Sequence, residues 1–257
     1  MEYIQYNTDD RVGYITLNRP EKRNSLNFEV VRQLQQAFEV AENDDACKVI
    51  VLQGRGEVFC AGADLQYLQD LTANTFGDNL HDSNHLMQLF QQIYTLKKVV
   101  IGQVHGHAIA GGCGLAAICD ITFTVPEARF GYPEVKVGFV PAIVSVFLLR
   151  KLGESCTKQL LLTGDLISAA RARELGLVNF VVEADELAVA VQEFARRLCR
   201  ENSAQSMELT KEILYRVQEM PLQESLRYAA EMNAHARGTS DYRRGISAFL
   251  NKEKISW

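Results

Sequence analysis

A run of three glycines within four residues constrains the fold of this chain more than any other feature. Gly111, Gly112 and Gly114 follow the apolar stretch VVIGQVHG, which predicts a buried strand, and they lead into GLAAICD, which predicts a helix. Glycine is costly inside a helix and useful where backbone must approach another group closely. The run therefore predicts a strand-to-helix connection at which some other group comes close to bare backbone.

A second connection of the same kind occurs earlier in the chain. There the apolar stretch KVIVLQG leads into the small residues of FCAGADL, Phe59 to Leu65. The first N–H groups of a helix have no intrahelical partner and point out of its N-terminal end. Two such groups converging on one point would form an oxyanion hole, a pair of donors for a negatively charged oxygen. Close packing of helix against sheet also needs small residues, and spacing alone leaves both interpretations open.

Strand, loop and helix alternate through the first half of the chain. Two strands around a polar turn open the sequence, Asn27 can cap an amphipathic helix, and further strands are predicted at KVIVLQG, VVIGQVHG and ITFTVP. The alternation is typical of parallel strands joined by helical crossovers, so the predicted fold class is α/β.

The second half of the chain is predicted to be mostly helical. Successive helical segments include one from Ser168 to Gly176, which supply its start and stop signals, and a break is expected at Pro221. We therefore expect an α/β core over residues 1–195 and a helical C-terminal region over residues 196–257.

The composition argues against several classes of protein. The 257 residues are 47% hydrophobic and 23% charged, as in an ordinary globular protein, and no apolar run approaches the ~20 residues of a membrane span. A net charge of −5 without a basic stripe argues against nucleic-acid binding. The six cysteines form no Cys-x-x-Cys pair, which predicts reduced, mostly buried thiols. The first residues show no signal-peptide pattern, so we expect a cytoplasmic protein.

One carboxylate has the surroundings of a proton-transfer group. Glu134 lies in the largely apolar stretch FGYPEVKVGFVPA. Partial burial among such neighbours would raise its pKa toward neutrality and suit it to general acid–base chemistry. A surface glutamate at a turn is the alternative interpretation, and the sequence leaves it open.

In their order along the chain, these segments resemble the crotonase family, the enoyl-CoA hydratases and isomerases. The resemblance covers nearly the whole chain through the motifs ITLNRPEKRNSLN, FCAGADL, VHGHAIAGGCGLAAICDI, ARFGYPEVKVGFVP, LLLTGDLISAARARELGLVNFVV and SDYRRGISAFLNKEK. It implies a ClpP/crotonase-like spiral of ββα units, with a C-terminal helical region that forms a trimer or a dimer of trimers. It also implies acyl-CoA substrates, with coenzyme A as part of the substrate, no permanently bound cofactor and no metal ion.

The resemblance assigns roles to individual residues. The amides of Ala63 and Gly111 would hold the thioester carbonyl and stabilise the enolate formed beside it, and Glu134 would be the catalytic carboxylate. The predicted substrate-binding residues are Lys22, Arg23, Ala61, Asp64, Leu65, Gly114, Tyr132, Pro141, Phe249 and Lys252. Lys22 and Arg23 would flank coenzyme A, its adenine would lie near Ala61, Asp64 and Leu65, and the last two would complete the site from a neighbouring subunit.

The chain departs from the family pattern at Gly114. Family hydratases carry two catalytic glutamates, one following the glycine run, and glycine can neither hold a water nor exchange a proton. The motifs AGGCGL and PEVKVGFVPA look most like 3-methylglutaconyl-CoA hydratases, and a substrate with its own second carboxylate would compensate for the missing group. Double-bond isomerisation or decarboxylation of a glutaconyl thioester needs one carboxylate and stays open, as does acyl-CoA binding without turnover.

His81 and His85 are four residues apart, as paired metal ligands on a helix can be. No carboxylate accompanies them convincingly, so we expect the stretch TANTFGDNLHDSNH to be a polar surface loop over the active site rather than a metal site.

Overall fold

The computed structural model describes residues 1–257 as two sheets wrapped by helices. The strands are β1 (Ile4–Asp9), β2 (Val12–Leu17), β3 (Val49–Gly54), β4 (Val99–Val104), β5 (Ala108–Ile109), β6 (Ile121–Thr124), β7 (Arg129–Gly131), β8 (Ile167–Ser168) and β9 (Phe180–Val181). The α-helices are α1 (Phe28–Asn43), α2 (Leu65–Leu71), α3 (Phe76–Thr95), α4 (Gly111–Ile118), α5 (Ala142–Thr163), α6 (Ala169–Glu174), α7 (Leu187–Glu201), α8 (Ala204–Arg216), α9 (Leu222–Arg237) and α10 (Ser240–Asn251). Short 3₁₀ helices occupy Pro20–Lys22, Pro133–Val137 and Val217–Glu219.

The larger sheet has the order β1-β2-β3-β4-β6-β9, and the smaller has the order β5-β7-β8. In the larger sheet only the β1–β2 hairpin is antiparallel. The predicted α/β class with parallel strands and helical crossovers is therefore confirmed. The strands β2, β3 and β4 are almost entirely buried, as expected where a parallel sheet is covered on both faces.

The predicted helix starts are confirmed at two caps, and a third was missed. Asn27 accepts a hydrogen bond from the Val30 N–H (2.9 Å), and Ser168 accepts one from the Arg171 N–H (3.2 Å). The polar stretch expected to be a loop is instead helical from Phe76 onward. Thr75 and Asp78 form a reciprocal capping box there, which satisfies the first backbone donors of α3.

The C-terminal half is helical as predicted, and Pro221 precedes α9. The boundary predicted after residue 195 falls inside α7, whose Ala195 and Cys199 are buried in the core beneath the sheet. The first break in the helical chain comes at Asn202 and Ser203. Five of the six cysteines are buried and none is paired. No helix is both long and apolar enough to cross a bilayer.

Candidate active site

The two small-residue loops lie side by side. The Ile109 N–H donates to the Cys60 carbonyl (3.0 Å), and the Cys60 N–H donates to His107 (3.2 Å), so the chain segments before α2 and α4 run together as a short parallel ladder. An ideal Cβ built on Gly62 would lie 2.7 Å from the Ala110 Cβ and 3.6 Å from the Gly111 nitrogen. Only a glycine at 62, which also has φ +87°, permits this approach.

The amides of Ala63 and Gly111 have no acceptor within the protein. Their neighbours are engaged: the Leu26 N–H donates to Gly62 (2.7 Å), and the Asp64 N–H donates to Leu26 (2.8 Å). Neither the Ala63 N–H nor the Gly111 N–H takes part in a backbone hydrogen bond outside the regular elements, and no side chain accepts from either. Gly111 is the first residue of α4, so its N–H also lies at the positive end of the helix dipole.

Strain and close packing fix the direction of the Gly111 amide. Ala110 has φ 52° and ψ −124°, a conformation that L residues rarely adopt, and its N–H donates to the Gly131 carbonyl (2.8 Å). A Cβ on Gly112 would lie 2.3 Å from the Cys60 carbonyl oxygen. Both interpretations of the glycine run therefore hold, each for different residues: Gly62 and Gly112 permit packing, and the amide of Gly111 is left unpaired.

Asn24 clamps the first loop, a role that the sequence did not reveal. Its side-chain amide nitrogen lies 2.8, 2.9 and 3.1 Å from the carbonyl oxygens of Arg55, Val58 and Phe59. Its carbonyl oxygen accepts from the Arg19 N–H (2.9 Å). With φ 53°, Asn24 sits in the left-handed region, which asparagine tolerates better than most residues. The residue lies within the motif RPEKRNSL, so its position was visible but its partners were not.

Asp64 is held by an ion pair. Its carboxylate lies 2.9 Å from the Arg19 guanidinium, with both side chains about nine-tenths buried, and it caps α2 by accepting from the Gln66 N–H (3.0 Å). Burial acts to raise the pKa of Asp64, but the hydrogen bonds from Arg19 and Gln66 outweigh it and hold the pKa below its usual range. Asp64 therefore stiffens the loop next to Ala63.

Glu134 lies at the same edge of the smaller sheet as the Gly111 amide. Strands β5 and β7 are parallel neighbours, pairing Ile109 with Gly131, so the residues that follow each strand emerge together. Glu134 is half-buried, and its Oε2 is fully buried without a hydrogen-bond partner. Burial raises the pKa of Glu134 above its usual value. The enclosed carboxylate oxygen favours the interpretation of Glu134 as a proton-transfer group over that of a surface residue at a turn.

Apolar side chains close over Gly114. An ideal Cβ there would lie 2.6 Å from the Val144 Cγ1 and 2.8 Å from the Phe90 Cζ, and all three residues are buried. A side chain at this position would require Val144 or Phe90 to shift. A substrate carboxylate directed into the same space would be desolvated among hydrocarbon groups, which is costly without a partner. A substrate carboxylate that compensates for the missing group would therefore have to lie outside the space at Gly114.

Tyr132, predicted to bind substrate, is instead a core residue. Its side chain is fully buried, its hydroxyl has no hydrogen-bond partner, and burial holds its pKa well above the usual value. Because no part of Tyr132 is exposed, it cannot contact a ligand in this conformation. Pro141 is half-buried and precedes α5, at the end of the same segment.

The residues predicted to contact coenzyme A are distributed over two regions. Lys22 and Arg23 are exposed beside the first loop, where the Ala61 N–H donates to the Arg23 carbonyl (3.0 Å), and Leu65 is 82% exposed at the start of α2. The remaining two, Phe249 and Lys252, lie at the end of α10, which packs against α9 and Trp257. Phe249 is 79% exposed at the C-terminal end of the chain.

The two histidines of α3 pack against an aromatic ring. His85 stacks on Phe28 at a centroid distance of 4.1 Å, and His81 stacks on the same ring at 5.9 Å. A cavity of about 690 Å³ lies elsewhere, beside the C-terminal end of α4 and against α5 and α8. Its lining does not include Glu134 or either loop, so the candidate active site is identified by the unpaired amides and the buried carboxylate oxygen.

Known proteins resemble this chain over nearly its whole length. A family model described as enoyl-CoA hydratase/isomerase matches residues 7–257. A Thermus thermophilus protein named for enoyl-CoA hydratase is 43% identical over 241 residues, covering 94% of this chain and 95% of that protein. The 2,3-dehydroadipyl-CoA hydratase of Escherichia coli is 33% identical over 255 residues, covering 98% of this chain and 97% of its own length.

Solved structures match equally well. An enoyl-CoA hydratase from Mycobacterium smegmatis has a TM-score of 0.93 at 29% identity, with 99% of this chain and 98% of that chain covered. A Legionella pneumophila protein described as an enoyl-CoA hydratase/isomerase (crotonase) has a TM-score of 0.90 at 35% identity, with 98% of both chains covered. The predicted crotonase spiral is thereby confirmed.

A fold of this kind that exposes two unpaired amides near a half-buried carboxylate defines an acyl-thioester enzyme of the crotonase class. The match over residues 7–257 makes the assignment more specific. This chain belongs to the enoyl-CoA hydratase/isomerase family, and its family-level activity is that of an enoyl-CoA hydratase, a lyase.

Proposed function

We propose that this enzyme adds water across the 2,3 double bond of a short, branched enoyl-CoA, with Glu134 as its only catalytic carboxylate. The observation that carries the proposal is the unpaired, buried Oε2 of Glu134 at the same sheet edge as the free Gly111 amide. A buried carboxylate oxygen without a partner is costly unless the site uses it. The place of the second family carboxylate is closed by Phe90 and Val144.

One carboxylate is sufficient for both proton transfers of hydration. Ionised Glu134 takes a proton from water as the water oxygen bonds to carbon 3, and the double-bond electrons move onto the thioester oxygen. The amides of Ala63 and Gly111 hold that oxygen as an enolate, each such donor being worth about 3 kcal/mol of transition-state stabilisation. Protonated Glu134 then returns its proton to carbon 2, and the enolate collapses to the 3-hydroxyacyl thioester.

The raised pKa of Glu134 predicts a displaced acid limb in the pH profile. Hydration begins from the carboxylate form, so kcat/KM rises with pH through the pKa of Glu134, which burial places above the usual glutamate value. We expect half-maximal kcat/KM on the acid side at a pH clearly above ~4.3, the value for an unperturbed glutamate. A profile that stays flat down to pH 4.5 would contradict this assignment.

The finer substrate proposal is 3-methylglutaconyl-CoA or a related short branched acyl-CoA. It rests on the local likeness of the segments around Gly114 and Glu134 to that subgroup. The Escherichia coli relative is named for an acyl group that also carries a second carboxylate. Since the space at Gly114 is apolar, such a carboxylate would have to lie away from α4, toward the exposed side of the site.

A second candidate reaction uses the same groups. The absence of a carboxylate at Gly114 favours chemistry that needs one proton carrier, namely migration of the double bond with Glu134 moving a proton between carbons 2 and 4, or decarboxylation of a glutaconyl thioester. Both pass through the enolate that the two amides would hold. Binding of acyl-CoA without turnover is the least supported alternative, because Glu134 is retained in a raised-pKa environment.

The deciding experiment measures 3-methylglutaconyl-CoA and crotonyl-CoA side by side, with the purified protein and its Glu134→Gln variant. Hydration of the branched substrate, slower hydration of crotonyl-CoA and a loss of about 10²–10⁴-fold in the variant would support the proposal. Double-bond migration or release of carbon dioxide, without hydration, would establish the second reaction instead. No turnover of either thioester despite tight binding would favour the binding protein.

The remaining proposals concern assembly and setting. We propose a homotrimer or a dimer of trimers, because apolar side chains are exposed along the C-terminal helices at Leu222, Leu226, Ile246, Phe249 and Leu250. Phe249 and Lys252 would reach the neighbouring subunit's site in that assembly, and sedimentation of the purified protein tests it.

Coenzyme A enters only as part of the substrate. A cytoplasmic location stays a prediction, supported by the unpaired cysteines.

A further inference from the structure

The cavity of about 690 Å³ at the C-terminal end of α4 has the size of a small-molecule site. The eight residues of α4, about 10 Å of helix, separate it from the Gly111 amide. Much of its wall is apolar, and the apolar side chains there are only partly buried, which leaves the space between them open. They include Tyr94, Val99, Phe147, Met207, Leu214 and Tyr215.

The polar part of the wall carries more positive than negative charge. Three cations line the cavity, namely Arg150, Lys151 and Lys211, and Asp120 is the single carboxylate. The local excess of positive charge contrasts with the net charge of −5 of the whole chain. Asp120 is already engaged, because its Oδ2 accepts from the Lys211 ammonium (2.7 Å) and from a backbone N–H of β4 (2.7 Å). Arg150 meets only Glu219, at 3.9 Å, whose side chain is 66% exposed.

Lys151 is the cation that has no counter-ion. Its ammonium donates to the carbonyls of Ala117 (2.7 Å) and Cys119 (3.1 Å) at the C-terminal end of α4. These bonds use two of the three ammonium N–H groups, and no carboxylate forms an ion pair with Lys151. Burial lowers the pKa of Lys151, so the charged form is held there at a cost. An anion bound in the cavity would supply both the third acceptor and the missing negative charge.

Trp257 also lines this cavity and can report on its occupancy. Its N–H donates to the Arg200 carbonyl (2.9 Å), and the Arg244 guanidinium lies 5.2 Å from the centroid of its ring. The ring packs closely on α10, where an ideal Cβ on Gly245 would lie 3.3 Å from it. Since it is the only tryptophan of the chain, its fluorescence reports on this place alone.

We propose that this cavity is a second ligand site, which binds a carboxylate with an apolar tail. Lys151 holds the carboxylate, and the apolar side chains of α3, α5 and α8 receive the tail. The inference goes beyond the proposed function and does not rest on it. Because this ligand and the thioester bind at opposite ends of α4, each can bind while the other is bound.

The first experiment titrates the full protein with octanoate and with 1-octanol, which has the same tail without the charge. We expect saturable binding of octanoate by calorimetry, about tenfold tighter than 1-octanol, and a change in Trp257 fluorescence at the same concentrations. Hexanoate should bind more weakly than octanoate, by about threefold to fourfold for each methylene group removed. No saturable binding of octanoate at millimolar concentration, or heat without a change in fluorescence, would overturn the inference.

A matched pair of lysine variants tests the charge. Lys151→Met should weaken octanoate by about tenfold and leave 1-octanol unchanged within about twofold, a split that a purely structural role would not produce. Lys158→Met is the control, because Lys158 is an exposed residue of the same helix, pairs with Glu154 and does not line the cavity. Equal losses for octanoate and 1-octanol in Lys151→Met would contradict the role of the charge.

A second variant keeps the test valid if Lys151→Met unfolds. Ser206 is exposed on α8 and lines the cavity, so Ser206→Phe adds a ring to the space for the tail and retains every cation. This variant should lose octanoate binding with its thermal midpoint unchanged, and retained octanoate binding would overturn the inference.

Competition separates this site from the catalytic one. Saturating butanoyl-CoA should leave the affinity for octanoate unchanged within about twofold, whether or not the protein hydrates any enoyl thioester. Displacement of octanoate by butanoyl-CoA would assign it to the thioester site and reject the second site. A protein without hydratase activity that still binds octanoate through Lys151 would reject only the proposed function.

Discussion

The two loops that present the free amides meet at Gly62, but they differ in the side chains that hold them. Polar side chains fix the loop before α2. The Asn24 side-chain nitrogen lies within hydrogen-bond distance of three backbone carbonyls at the start of this loop, and Asp64 forms an ion pair with Arg19. The turn before α4 contains no polar side chain, and steric contact through Gly112 and the strained Ala110 fixes it. Hydrogen bonds can be lost one at a time, whereas a steric fit fails at the first added methyl group.

The largest effect is expected where the steric fit is closest. Gly112→Ala would drive its Cβ to 2.3 Å from the Cys60 carbonyl oxygen and should lower the free energy of unfolding by about 4 kcal/mol or more. Gly77→Ala is a matched control, because Gly77 is also the second residue of its helix and meets only Thr75 Oγ1 at 3.7 Å. Urea unfolding of both variants measures the difference. Similar unfolding midpoints for the two variants would show that the turn before α4 can rearrange to accommodate the added methyl group.

Loss of the Asn24 hydrogen bonds should lower the free energy of unfolding by less than Gly112→Ala does. Asn24→Ala removes the side-chain hydrogen bonds to the loop and forces alanine into φ 53°, so we expect a loss of about 3 kcal/mol in unfolding free energy. Asn24→Gly removes the same bonds but accepts the backbone conformation, and it separates the two contributions. Chemical unfolding measures the loss of unfolding free energy in each variant. Equal losses in Asn24→Ala and Asn24→Gly would show that the backbone conformation at position 24 contributes nothing to the cost.

The Arg19–Asp64 pair adds a pH dependence to the first loop. The pKa of Asp64 is lowered in the folded protein, so the pair stabilises above the unfolded-state pKa of ~3.9 and its contribution is lost as pH falls. Asp64→Asn should cost about 2 kcal/mol at pH 7 and progressively less below pH 4. The exposed pair Lys136–Asp165 provides the control, since Asp165→Asn should cost little at either pH. A cost for Asp64→Asn that is independent of pH would argue against the ion pair.

The smallest effect should come from relieving strain. Ala110→Gly removes the conformational penalty of φ 52°, but it also raises the conformational entropy of the unfolded chain. Because the two effects oppose each other, we expect the unfolding free energy to change by less than about 1 kcal/mol. Catalysis should suffer more than stability, because the Gly111 amide loses its fixed direction. Comparing kcat/KM with the thermal midpoint tests this; unchanged kcat/KM would mean that the strain does not orient the amide.

The sequence predicted what depends on periodicity and on small residues. Parallel strands, the caps at Asn27 and Ser168, and two strand-to-helix connections follow from local patterns, and the structure contains them. The capping box of Thr75 and Asp78 was an available local signal for α3, but the surrounding polarity obscured it.

Contacts between distant segments could not be predicted in this way. The closure of Gly114 by Phe90 and Val144 joins residues from three helices, and no spacing rule links positions 90, 114 and 144. Tyr132 is fully buried although the nearby segment Val137–Val140 is exposed. This difference depends on how the 3₁₀ turn that begins at Pro133 packs against the core. Packing of this kind overrides local propensity, and it decides which residues of a motif can meet a ligand.

The unpaired amides of Ala63 and Gly111 also give the protein a built-in reporter. An N–H that no protein acceptor holds exchanges its hydrogen with solvent far more readily than one in a strand or helix interior. Deuterium uptake at these two positions should therefore be rapid in the free protein and should slow when a thioester oxygen occupies the space between them. Occupancy of the site thus becomes visible as isotope retention at two backbone positions, whichever reaction follows.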